Sequence, residues 1–79
     1  MSKTVFLING PNLNLLGKRE PAIYGADTLE DVAKRCEALA KPAQIDLNSM
    51  QSNHEGQIID WIHQARDEAE AIIINPGAF

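Results

Sequence analysis

Residues Thr4 to Ile8, "TVFLI", and Ala71 to Ile74, "AIII", are continuous apolar runs rich in β-branched side chains, and each leads straight into a turn of Asn, Gly and Pro. Runs this short and this apolar predict strands buried on both faces. Between them the apolar period changes to three and four. Leu29, Val32, Ala33, Cys36, Leu39 and Ala40 predict an amphipathic helix with Asp27 as its cap, Glu30 closing a capping box and Lys41-Pro42 ending it. Ile58, Ile62, Ala65 and Ala69, flanked by Ile59 and Trp61, predict a second helix running to about Glu68, with a capping box from Ser52 and Glu55. Gln44 to Met50, "QIDLNSM", alternates Ile45, Leu47 and Ser49 with Asp46, Asn48 and Met50, the pattern of a strand near a sheet edge.

Strand, helix, strand, helix, strand implies right-handed crossovers and a parallel sheet, so the fold class is α/β. The first strand belongs at the centre and the second outside it, the beginning of a flavodoxin-like order with three strands and two crossover helices. The turns "NGPN" and "NPGAF" then emerge side by side at the carboxyl ends of adjacent strands. Open α/β sheets bind ligands there.

Bulk properties narrow the partners. Seventy-nine residues with 44% apolar content predict one globular domain over 1–79. A chain of this length buries only about 60% of its unfolded surface, so a thin stability margin and partner subunits are expected. The net charge of -4, without a cluster of Lys and Arg, argues against a nucleic-acid partner. The opening "MSKTVFLING" is too short in apolar residues for a signal peptide or a bilayer span. With no membrane segment and Cys36 as the single cysteine, a reducing, cytoplasmic location is expected.

Amides on two turns facing one crevice, Asn9, Asn12, Asn14 and Asn75, can grip a hydroxylated or carboxylated small molecule, with Gly10 and Gly77 letting the backbone come close. The same residues are also ordinary turn formers. The stretch "NGPNLNLLGKREPAIYG" is longer than a strand-to-helix connection needs. It reads either as a mobile cover carrying Lys18, Arg19 and Tyr24, hinged at Gly17 and Gly25, or as an exposed loop with solvated charges. A phenol titrates near ~10, and a guanidinium within about 4–6 Å lowers that by ~1–3 units, so Arg19 and Tyr24 can make a base. His54 and His63, nine positions apart, fall on opposite sides of a helix, against a metal pair. His54 and Glu55 read as helix-start residues at the rim opposite the crevice, His63 as part of a solvated face, and Cys36 as part of the core. A phosphate-binding glycine loop is missing after the first strand, so flavin or nucleotide has little support.

"NGPNLNLLGKREPAIYG", "QSNHEGQIIDWIHQA" and "IIINPGAF", in that order and spacing, resemble the N-terminal half of the type II 3-dehydroquinate dehydratases of the shikimate pathway. The resemblance covers essentially the whole chain and is loosest over the first helix and "KPAQIDLNSM". It implies a flavodoxin-like fold, homo-oligomers built as trimers within a dodecamer, and a cofactor-free trans-elimination of water from 3-dehydroquinate to 3-dehydroshikimate. Carried over, Tyr24 is the catalytic base and Arg19 its activator. Asn12 helps hold the enolate oxygen through water, and Asn75 binds substrate hydroxyls. In the family a His that protonates the departing hydroxyl and an Arg that grips substrate come after the position of Phe79, where Tyr is usual. The 79 residues are therefore expected to lack full activity alone. The alternative expectation is an inactive relative that serves as a binding or assembly module.

Overall fold

The structure is a computed structural model, which describes residues 3–17 and 25–79. Five main elements follow one another: β1 (Lys3–Asn9), α1 (Leu29–Ala40), β2 (Ile45–Gln51), α2 (Glu55–Glu68) and β3 (Ala71–Asn75). Short 3-10 turns cover Leu13–Leu15 and Lys41–Ala43. The strands form one parallel sheet in the order β2-β1-β3. The α/β class, the central first strand and the outer second strand are as the sequence predicts.

β1 is the buried element. Phe6 and Ile8, 1% and 0% exposed, pack against Ile58 and Ala65 of α2, with Met50, Trp61 and Ala69 around them. Successive side chains alternate across a pleated strand, so Leu7, also buried, points to the opposite face. β1 is thus covered on both sides, which is what its unbroken apolar run requires. β3 has an equally apolar run and is covered much less: Ile72, Ile73 and Ile74 are 37%, 57% and 41% exposed. The apolar run marks a strand that needs cover on both faces, and among the described residues β3 pairs only with β1 and lacks the cover that β1 has. Two helix positions depart from the expected apolar faces in the same way, Ile62 on α2 and Leu39 on α1, both exposed.

The helix starts also differ from the sequence reading. In α1 the cap is Thr28, in extended conformation, with its side chain accepting from the Asp31 backbone N–H at 3.1 Å. The Asp31 carboxylate accepts from the Thr28 N–H at 3.0 Å, completing the box one residue later than Asp27 and Glu30 would. Asp27 instead pairs with Arg35, and Glu30 with Lys34 at 3.3 Å. In α2 the cap position is His54, without a side-chain capping bond. Ser52 Oγ accepts from the His54 N–H at 3.0 Å, so the Ser closes a local turn before the helix rather than a box with Glu55. α1 ends at Ala40, and the chain leaves through Lys41-Pro42-Ala43 to Gln44, whose φ of 60° turns it into β2.

Candidate active site at the carboxyl rim of the sheet

The parallel register brings Asn9, Gln51 and Asn75 into one row where the three strands end. Register partners in a parallel sheet share a face, so the row presents three carboxamides side by side. The two turns beyond it are joined through the backbone. The Gly10 N–H donates to the Asn75 carbonyl at 2.8 Å, and a Cβ at Gly10 would lie 2.4 Å from the Pro76 carbonyl oxygen. Glycine is needed at position 10 because only a residue without a side chain lets the "NGPN" and "NPGAF" turns come this close.

Asn12 and Asn75 each have one part tied down. Asn12 adopts a left-handed conformation with φ of 66°, accessible to Asn at modest cost, and its carbonyl accepts from the Leu15 N–H at 3.0 Å. Its own backbone N–H donates to Asn53 Oδ1 at 2.9 Å, while its side chain makes no capping bond and the residue stays exposed. Asn75 Oδ1 accepts from the Gly77 N–H at 3.3 Å. The Asn75 amide nitrogen is the end left to donate to a ligand oxygen. The side-by-side turns follow the sequence prediction.

Gln51 and Asn53 were not among the sequence candidates, and both belong to this rim. Gln51 Nε2 donates to the Gly10 carbonyl at 3.1 Å and Asn53 Oδ1 at 3.1 Å, and reaches Asn14 Oδ1 at 3.4 Å. The Ser52 N–H donates to the Asn9 carbonyl at 3.1 Å. The segment Gln51 to Asn53 therefore acts as a buttress under the "NGPN" turn. Its signal in the sequence was the run of short polar side chains where an apolar run would be cheaper, "QSN", directly after the second strand. His54 must be corrected on the same ground. A helix that follows a strand starts at the end where the strand stops, so His54 and Glu55 lie at the crevice rim and not at the opposite one.

Asn9 differs from its neighbours in the row. It is 6% exposed, and its Nδ2 is buried without a hydrogen-bond partner. Arg19 and Tyr24, the predicted activator and base, fall outside the described residues, as do Lys18 and Glu20. The described chain reaches the edges of their segment at Gly17 and Gly25, with φ of 81° and 89°. Both are conformations that residues with a side chain rarely adopt, and a Cβ at Gly17 would meet the Ala26 carbonyl oxygen at 2.6 Å.

Among the described residues no group of three or more His, Cys, Asp or Glu could hold a metal ion, and no helix is long and apolar enough to cross a membrane. The Cys36 thiol is free and half-buried. An open depression of about 740 Å³, lined by Lys34, Glu37, Lys41, Ile45, Asp46 and Leu47 among others, lies at the amino end of the sheet. It is at the wrong end of the strands for the carboxamide row, and its mixed charges line a shallow edge. The rim has the convergent, oriented polar groups that a small-molecule site needs.

Comparison with known proteins gives the rim a context. Residues 3–79 match the family model described as dehydroquinase class II. The chain is 54% identical over 79 residues to a 3-dehydroquinate dehydratase of Caulobacter vibrioides, covering 100% of this chain and 54% of that protein. It is 59% identical over 76 residues to catabolic 3-dehydroquinase 2 of Neosartorya fischeri, covering 96% of this chain and 51% of that protein. Among solved structures, a type II dehydroquinase from Butyrivibrio crossotus superposes with a TM-score of 0.89 at 44% identity, over 98% of this chain and 54% of that one. The chain thus spans about half the length of the curated relatives it matches.

Proposed function

The chain belongs to the class II dehydroquinase family, and from that premise we propose that it carries the proton-abstracting half of a 3-dehydroquinate dehydratase site. The observation that carries this reading is the rim itself. Gly10 N–H and the Asn75 carbonyl, 2.8 Å apart, hold the turns of Asn12 and Asn75 against each other at the end of the segment that bears Arg19 and Tyr24.

The chemistry requires no cofactor. The Tyr24 phenolate takes a proton from the carbon next to the substrate ketone, and the C–H electron pair moves to the carbonyl oxygen as an enolate. Arg19 lowers the phenol's pKa by favouring its charged form. Asn12, through a water molecule, holds the enolate oxygen, and Asn75 binds substrate hydroxyls. The enolate then collapses, the C–O bond to the hydroxyl breaks, and that hydroxyl leaves as water with a proton from a general acid. The product is the conjugated enone 3-dehydroshikimate. By family resemblance the acid is a His that follows the position of Phe79, and such groups contribute ~10²–10⁴-fold. Proton removal by Tyr24 and departure of the hydroxyl are separate steps, and each can be followed on its own.

That separation is the test. In deuterated water, proton NMR should show exchange at the carbon next to the ketone of 3-dehydroquinate, and absorbance of the enone follows the elimination step separately. Tyr24→Phe should return exchange to the uncatalysed rate. Exchange unaffected by Tyr24→Phe, or none above that rate, would overturn the reading. A cytoplasmic location and a homo-oligomer, with trimers in a dodecamer, belong to the same proposal, the first supported by the free Cys36 thiol and the second by the exposed apolar β3. That exposed strand also favours the assembly-module reading, which predicts association without any Tyr24-dependent exchange.

A further inference from the structure

Asn9 ends the most buried strand of the molecule, at a position where the preceding residues are Phe6, Leu7 and Ile8. Its backbone carbonyl is satisfied by the Ser52 N–H at 3.1 Å. The residue is more than nine-tenths buried, and its Nδ2 has no hydrogen-bond partner among the described residues. Buried donors are nearly always paired, and a central strand that needed only packing here could carry a Val or Leu at no such cost. On one side of the row Gln51 directs its Nε2 at the Gly10 carbonyl and at Asn53. On the other side Asn75 has its Oδ1 occupied by the Gly77 N–H, so its nitrogen is the end of the amide that this bond does not use. Asn9 stands between them, on the same face, under the junction of the two turns.

We propose that Asn9 is a further substrate-binding residue of the rim, its Nδ2 donating a hydrogen bond to a hydroxyl or carboxylate oxygen of the bound hydroxylated acid. The proposal rests on the dehydratase reading for the identity of that acid. The residue has no part in proton transfer. It supplies a neutral donor that desolvation has already stripped of water, so the bond to substrate forms without the cost of dehydrating the donor.

Asn9→Leu keeps much of the volume and removes the donor. The expected result has two parts that a packing role would not produce together. The thermal midpoint of the free protein rises by roughly 4–8 °C, because an unpaired buried group is gone. The affinity for 3-dehydroquinate falls about tenfold, the loss of one well-placed hydrogen bond. A lowered midpoint in a folded variant would mean that Nδ2 serves the fold, through a buried water, and would overturn the proposal. So would an unchanged affinity. Should Asn9→Leu fail to fold, nitrogen NMR of the wild-type chain decides the matter. Movement of the Asn9 side-chain NH2 pair on adding 3-dehydroquinate supports the proposal. Movement of the Gly10, Asn12 and Gly77 amides without that pair overturns it and leaves the dehydratase reading standing. No movement anywhere overturns the dehydratase reading and the Asn9 assignment with it.

Discussion

Gly10 and Gly56 make opposite predictions from the same missing methyl group. A Cβ at Gly10 would sit 2.4 Å from the Pro76 carbonyl oxygen, and the obstacle is backbone, which cannot rotate away. Gly10→Ala should cost at least about 3 kcal/mol in urea unfolding and separate the two turns. Gly56, in the first turn of α2, has open space within 4 Å, so Gly56→Ala should stabilise by about 0.5 kcal/mol. Equal effects at the two sites would contradict the close approach of the turns. Asn53 carries the next prediction. Asn53→Ala removes the acceptor of the Asn12 N–H, so it should cost about 1 kcal/mol and speed hydrogen exchange at the Asn12 amide, leaving Ile8 unaffected. Asn12 and Asn75 were legible from the sequence as amides on paired turns. Gln51 and Asn53 were not, because their role comes from hydrogen bonds across a sequence distance that no local pattern records.

At the scale of elements, strands and helices were readable because period and apolar length are local. β1 proved longer than the apolar run that announced it and β2 lies one residue later than Gln44–Met50, Asn9 and Gln51 being polar ends that pairing, not hydrophobicity, holds in the sheet. Helix starts were misread for a physical reason. Both Asp27-Glu30 and Thr28-Asp31 fit a capping box in sequence, and the choice was made by Arg35, which engages Asp27. The chosen box has a pH signature. The Thr28 backbone N–H, and then its hydroxyl, hold the Asp31 carboxyl below its ordinary range. A carboxyl whose folded pKa is depressed contributes stability that is present above the ordinary aspartate range and is lost as pH falls through the lower, folded value. Carbon NMR should therefore find Asp31 titrating below about 3.9, and Thr28→Ala should move it upward. The same substitution should lower stability at neutral pH by about 1 kcal/mol.

For the whole molecule, the buried apolar set is small and centres on Phe6 and Ile8. Phe6→Ala should cost about 3–5 kcal/mol, comparable with the entire stability of a chain this short, and circular dichroism should show an unfolded or barely folded protein at room temperature. β3 is the counterpart. Ile73 is 57% exposed, so Ile73→Lys should leave the unfolding midpoint nearly unchanged while reducing self-association seen by light scattering. A large loss of stability instead would show Ile73 to be packed. The apolar run of β3 reads like that of β1, since composition registers that a strand needs covering and not whether a neighbour is present to cover it.

The order β2-β1-β3 has a further consequence for how the protein is made. Among the described residues β1 pairs with both other strands and precedes them in the chain, its partners lying some forty and more than sixty positions later. No early segment can protect it, since both pairings require closing long loops before either is rewarded. During synthesis "TVFLI" remains a bare, sticky peptide until β2 and β3 have followed it, the kind of segment that holding chaperones bind. The interval between Asn9 and Ala71 is then a period in which the newly made chain is open to association before its sheet can close.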